Sequence, residues 1–206
     1  MLLLSALLSF AQGGQCDEPA RLSPPDERSL DVALELELLA MCEVDQRARH
    51  ELINEPASEE ILNRVVTVDR AHRARMKEIL AKHGWPGKAL VGNKGAHAAW
   101  LLVQHADEDV PFQVDCLALL ESAVKQGEAS AADWAYLVDR VRVNQKQAQL
   151  FGTQFRPDAD GNYQPQPIED ESQVDLRRKS VGLGTMAEYA AQLRKPYGPK
   201  PPTAVK

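Results

Sequence analysis

Three stretches of this chain set apolar residues at helical spacing, and each puts an ionisable residue where that stripe calls for an apolar one. The second stretch is the most regular, with Leu62, Val65, Asp69, His72, Met76, Ile79 and His83 at alternating intervals of three and four. Such a period belongs to an α-helix with one buried face. The chain must therefore fold by packing helices together while polar groups point into the packed face.

The first helix is expected over residues 26–54, after the lead Ser23-Pro24-Pro25. Its stripe is Leu30, Leu34, Leu38, Met41, Ala48 and Leu52, with Asp45 in the middle, and Glu55-Pro56 ends it. Ser58, with Glu59 and Glu60 behind it, caps a second helix that runs to His83 and stops at Gly84-Trp85-Pro86. Residues 84–95 read as a glycine-containing loop. A third helix then spans Lys94 to Ala106, and its segment Ala98-Ala99-Trp100-Leu101-Leu102-Val103 is apolar all round, as in a helix buried mid-domain. Asp109-Val110-Pro111 starts a fourth helix that ends at Gly127. Ser130 with Asp133 opens a fifth, to Val143.

After that the signal changes. Residues 149–155 and 162–165, around Asp160-Gly161, read as a short β-hairpin with Arg156-Pro157 in a widened loop. Two short helices follow, capped by Asp170 with Gln173 and by Thr185 with Glu188. The expected fold class is mainly α: a single helical, bundle-like domain over residues 26–194, with a small β-hairpin near the C-terminal third. A disordered Pro-rich tail covers 195–206.

With 206 residues, the chain has the length of one domain, able to bury roughly 70% of its unfolded surface. Its formal charge is -6, and its basic residues are scattered without a dominant stripe, which argues against a nucleic-acid partner. The run Met1–Ala11 is too short to cross a bilayer and suits the apolar region of a secretory signal, cleaved after Ala11. No Lys or Arg precedes that run. Residues 1–11 are thus expected to be a signal peptide and 12–25 a flexible lead, which makes the mature protein periplasmic or secreted and without stable membrane insertion. If the run is not a signal, the protein stays cytoplasmic. Three cysteines, Cys16, Cys42 and Cys116, leave two readings: a Cys42–Cys116 disulfide, or two buried thiols without a bond.

The candidate chemistry comes from placement. Asp45, Asp69 and His105 each occupy the core-facing stripe of a different long helix, and a buried carboxylate needs a partner. Arg49 follows Asp45 by one turn, at the spacing where side chains meet. His105 ends a helix, where the dipole favours an imidazolium, and Asp107 lies two residues beyond it. A buried His among carboxylates suits proton transfer near neutral pH. His83, near a helix end, reads as a solvent-facing residue. Arg140, Gln149, Thr153 and Gln154 form a second polar group, Arg140 beside the apolar face of Trp134, Leu137, Val138 and Val141, with Asp139 turned away. No His-x-x-x-His or Glu-x-x-His pair supports a metal, and neither a nucleophile elbow nor a nucleotide-binding fingerprint occurs, so no metal or cofactor is expected.

Several blocks carry a resemblance: His83-Gly84-Trp85-Pro86, Ala98 to Asp107 with Gly95, Leu137-Val138-Asp139-Arg140 and Phe151-Gly152-Thr153-Gln154. Asp45-Gln46 with Arg49, and Val174 to Arg178 before Val181-Gly182, belong to the same pattern. Over residues 30–193 the chain resembles one of the bacterial domain-of-unknown-function families of helical, often exported proteins. Members of that family often have Tyr before Gly-Thr-Gln, and this chain has Phe151, so a hydroxyl there is not essential here. The resemblance implies segment boundaries and no activity.

Two functional expectations follow from the residues. One is an acid/base enzyme, hydrolase or lyase-like, with His105 catalytic, Asp69 or Asp107 orienting it, and Asp45, Arg49, Arg140 and Gln154 binding substrate. The other is a non-catalytic helical module whose buried polar groups are structural and whose partner is a small molecule or a protein.

Overall fold

Asp31 decides where the first helix begins: its Oδ1 accepts from the Leu34 N–H at 3.0 Å, and its carbonyl accepts from the Glu35 N–H at 2.9 Å. In a computed structural model that describes residues 30–54, 58–158 and 163–197, helix α1 is Val32–Asn54, starting six residues later than the expected Asp26. The expected signal and lead (1–25), Cys16, the Glu55-Pro56 stop, the hairpin tip at 160–162 and the tail after Tyr197 lie outside the described residues.

The chain divides between Ser130 and Ala131 into two compact units. The first holds α1, α2 (Glu59–His83), α3 (Lys88–Gln104) and α4 (Val110–Lys125). The second holds α5 (Ala131–Asn144), strands β1 (Phe155–Pro157) and β2 (Tyr163–Pro165), a 3-10 turn at Glu171–Gln173, α6 (Val174–Ser180) and α7 (Met186–Tyr197). The fold is mainly α with a two-stranded hairpin in the C-terminal third, as the periodicity implies.

In the first unit α1 packs against α2 and α3, and α3 against α4. Leu34, Leu38, Ala48 and Leu52 of α1 meet Ile61, Val65, Met76 and Ile79 of α2 in the apolar core, with Ile61 rather than Leu62 at the start of the α2 stripe. Leu30 is exposed and Met41 only half-buried. Every residue from Ala98 to Ala106 is buried, which is why that segment of α3 carries no solvent face in its sequence. Ser58 caps α2 by accepting from the Ile61 N–H, and Asp109 caps α4 by accepting from the Phe112 N–H, each at 3.2 Å.

Helix α3 starts at Lys88, well before the expected Lys94, but it breaks at Val91 and Gly92. Gly92 lies at φ 67° and ψ 173°, a region essentially restricted to glycine, and a Cβ there would stand 3.1 Å from Glu35 Oε1 of α1.

In the second unit β1 and β2 pair antiparallel, Phe155 opposite Pro165 and Pro157 opposite Tyr163. The expected strand over 149–155 is corrected: only Phe155 belongs to it, and Arg156-Pro157 are strand rather than loop. The reason is that the N–H groups of Leu150, Phe151 and Thr153 turn to the Asp139 carboxylate, and Gly152 sits at φ 64°. The Asp170–Gln173 capping box also fails to form. Asp170 adopts φ 45° and its carboxylate accepts from the Ser172 hydroxyl at 2.6 Å, so the chain enters α6 through the 3-10 turn. The Thr185–Glu188 box does form: the Thr185 N–H donates to Glu188 Oε2 at 2.7 Å and the Glu188 N–H to Thr185 Oγ1 at 3.3 Å. Helix α7 continues through Lys195 to Tyr197.

Cys42 and Cys116 are free thiols, so of the two readings the unbonded one applies. Burial pushes Cys42 up to about 11 and Cys116 up to about 12, which keeps both protonated and unreactive near neutral pH. Among the described residues, no helix is long and apolar enough to cross a membrane.

Replacing Gly92 with Ala forces a side chain into that glycine-only region against Glu35. The variant is expected to lose about 1–3 kcal/mol of stability, read as a lower midpoint in urea unfolding followed by circular dichroism.

Candidate functional site

Residues four apart on a helix share a face, and α1 uses that rule to bring Asp45 and Arg49 together inside the first unit. Arg49 Nη1 donates to Asp45 Oδ1 at 2.7 Å. Its Nη2 reaches across to α2 and donates to both oxygens of Asp69, at 2.8 and 2.9 Å. His105, the residue that closes α3, brings Nδ1 within 2.9 Å of each Asp45 oxygen. Gln46 donates its side-chain amide to Asp45 Oδ2 at 2.8 Å. Three helices thus meet on one ionic cluster whose members are almost dry: Asp45 and Arg49 are 1% exposed, His105 2% and Asp69 8%.

The two carboxylates differ although they share Arg49. Burial drives the Asp45 carboxyl upward, but His105, Arg49 and the Gln46 amide outweigh it, and the group ends below the ordinary carboxylate value. For Asp69 burial prevails over the attraction of Arg49 and His105, and its carboxyl is raised. With both carboxylates ionised, one guanidinium leaves one negative charge over. The position a cation would take between the carboxylates is filled by the guanidinium. Among the described residues, no three His, Cys, Asp or Glu side chains converge as metal ligands.

The structure therefore brings Asp45, Arg49, Asp69 and His105 together. The carboxylate on His105 Nδ1 is that of Asp45, where Asp69 or Asp107 was expected. Asp107 is half-buried in the turn after α3, and its Oδ1 accepts from the Gln113 side-chain amide at 3.3 Å. His83 is half-buried at the end of α2. His72 lies one turn after Asp69, half-buried, and its Nδ1 is buried without a hydrogen-bond partner among the described residues.

Arg140, Gln149, Thr153 and Gln154 belong to the second unit and are all buried there. Arg140 Nη1 donates to Gln154 Oε1 at 3.0 Å, Gln154 Nε2 to Thr153 Oγ1 at 2.9 Å, and Thr153 Oγ1 to Asp139 Oδ2 at 2.9 Å. Gln149 clamps the same loop from its other side, accepting from the Gln154 N–H at 2.8 Å and donating to the Gln154 carbonyl at 3.0 Å.

Asp139 corrects the expectation that it turns away. All residues of α5 from Ala135 to Val141 are buried, so the helix has no outer face at this point. The carboxylate is fully buried and accepts from the N–H groups of Leu150, Phe151 and Thr153 at 2.6 to 3.0 Å. Burial pushes its carboxyl up against the pull of those donors. Arg178 is the other residue that the sequence reading left without a role. Its Nη1 donates to the Phe151 carbonyl at 2.7 Å, and its guanidinium stacks 5.0 Å from the centre of the Tyr189 ring. Asp139 showed in the sequence only as a charge beside the apolar Leu137, Val138 and Val141, and Arg178 only as one of several charges in Asp175–Lys179.

A mainly helical fold in which two units each enclose a charged hub is the class these features define. The chain belongs to the family of unknown function DUF6624, whose model matches residues 32–201, in agreement with the resemblance drawn from the sequence. No curated protein and no solved structure matches the chain.

Two outcomes are expected from these hubs. Because Asp45 is held below its ordinary value, it contributes stability that is complete above the unfolded-state pKa and is lost as pH falls through the lower folded-state value. Urea midpoints measured against pH should show a shallower acid limb for Asp45→Asn than for the wild type. Asp139→Ala strands three backbone donors and should cost about 3 kcal/mol or more, roughly 1 kcal/mol or more for each, in the same unfolding assay.

Proposed function

We propose that the protein is an acid/base enzyme acting on a small molecule, hydrolytic or lyase-like, with His105 as the proton-transferring group and Asp45 as its orienting carboxylate. The observation that carries this reading is the seat of the imidazole. Both Asp45 oxygens lie 2.9 Å from Nδ1, while Arg49 and Gln46 fix the same carboxylate. A carboxylate so held sets the tautomer and orientation of the ring, and with Nδ1 committed, proton exchange with a substrate falls to Nε2. Asp69 acts at one remove, by holding Arg49. Export to the periplasm or beyond is proposed on the apolar run at residues 1–11 alone.

One observation favours a second reading. Asp45 and Arg49 are 1% exposed and bonded to each other, as expected of a buried ionic lock that fixes helix register in a non-catalytic binding module.

The discriminating experiment is a screen of the wild type, His105→Gln and Asp69→Asn against ester, phosphoester, glycoside and elimination substrates, with thermal unfolding in parallel. Under the enzymatic reading an activity found in the wild type falls by about 10²–10⁴ in His105→Gln. If both variants keep every activity and merely melt at lower temperature, His105 is structural and the second reading holds.

A further inference from the structure

His105 is only 2% exposed, so a substrate that exchanges a proton with its imidazole can reach it only if a helix moves. The three helices around the cluster are not fastened alike. Helices α1 and α3 share a main-chain hydrogen bond, from the Asp31 N–H to the Leu90 carbonyl at 2.8 Å, and Glu35 of α1 fills the space beside Gly92. Outside the cluster, the polar ties of α2 to its neighbours run through side chains: Arg64 to Glu51 and Arg75 to Glu37 at 2.5 Å, and Lys77 to Asp109 at 2.7 Å. All three pairs are partly solvated, and ion pairs of that kind hold weakly.

Apolar packing is interrupted on α2 as well. Ile61, Val65, Met76 and Ile79 are buried, but between Val65 and Met76 the same stripe carries Asp69 and the half-buried His72. The Nδ1 of His72 is buried without a hydrogen-bond partner among the described residues, so this stretch of the helix closes at a cost. Asp69 is what ties it to α1. Its carboxylate accepts from a single nitrogen, Arg49 Nη2, whereas Asp45 accepts from Arg49 and Gln46 and also faces His105. Asp69 is also the most exposed member of the cluster, and burial raises its carboxyl.

We propose that α2 is a gate over the His105–Asp45 site and that the Arg49–Asp69 ion pair is its latch. The gate deepens the acid/base reading and rests on it, since only a reacting imidazole needs access. With the latch closed, α2 seals the cluster. When Asp69 parts from Arg49, the buried face of α2 between Val65 and Met76 has no apolar side chain to hold it, and the helix lifts from α1. Asp45, Arg49 and His105 stay together on α1 and α3. Arg49 remains bonded to Asp45 in the open state, so opening strands no buried cation and leaves His105 oriented. Asp69 is thus a positioning residue, and contact with substrate is left to His105.

The test labels His105 in the full-length protein without any substrate. Diethyl pyrocarbonate acylates accessible imidazoles, and its rate at His105 is read by peptide mass spectrometry against that at the exposed His50. Asp69→Asn keeps the shape of the side chain and removes its charge. In that variant the His105 rate is expected to rise by roughly 100-fold, or about 3 kcal/mol at about 1.4 kcal/mol per tenfold step. The backbone amides of Ala98–Val103 in α3 should keep their hydrogen-exchange protection. An unchanged His105 rate overturns the gate. A rise matched by lost protection in α3 also overturns it, because the pair then holds the whole unit. His72→Leu completes the apolar stripe and is expected to slow labelling by roughly tenfold. Should Asp69→Asn fail to fold, an unchanged rate in His72→Leu overturns the proposal. Failure of the enzymatic reading appears separately, as activity retained in His105→Gln, so the two failures are distinguishable.

Discussion

The Arg49 guanidinium reaches two carboxylates on two different helices, and the first unit is organised around that reach. Asp45 lies on its own helix and Asp69 on the next, while His105 joins from a third through Asp45. Charges this dry are tolerable only in mutual contact, since each would otherwise be an uncompensated ion in a low-dielectric interior. The requirement is geometric as well as electrostatic. A one-residue slip of α1 turns Asp45 and Arg49 off the packed face together with the apolar stripe of Leu34, Leu38, Ala48 and Leu52.

The second unit solves a related problem with opposite means. Here the buried charge is Asp139, and its partners are backbone N–H groups and a hydroxyl rather than a cation. Arg178, also buried, gives its protons to the carbonyls of Phe151 and Gly184 and its face to Tyr189. An acid and a base thus hold the same short loop, one through three of its amide donors and the other through the Phe151 carbonyl, without bonding to each other in any contact described above. The loop is fixed from both sides of its own backbone.

What could be read from the sequence follows from this difference. The tetrad of the first unit was legible because all its members are side chains at helical spacing: Asp45 and Arg49 one turn apart, Asp69 and His105 on apolar stripes. Which carboxylate meets His105 was not legible, because that depends on how three helices are staggered. The long helices were read correctly where caps and stripes agree, as at Ser58 and Asp109. They were misplaced where a single conformation decides, as at Asp31 and Gly92. The hub at Asp139 escaped altogether. A carboxylate that binds main-chain N–H groups eleven to fourteen positions away leaves no complementary residue type to find.

That same anonymity has a consequence for how this segment can change over time. Main-chain donors are supplied by every residue except proline, so the carboxylate is indifferent to the side chains at positions 150 and 151. The Phe151 ring is held by other means, buried edge-on against Trp134 with the ring centres 5.7 Å apart. Position 152 has no such latitude. A Cβ there would come within 2.5 Å of the Met186 sulfur, on a backbone already at φ 64°. The carboxylate thus reads bare amide at 150 and 151, and the packing of Met186 requires bare space at 152.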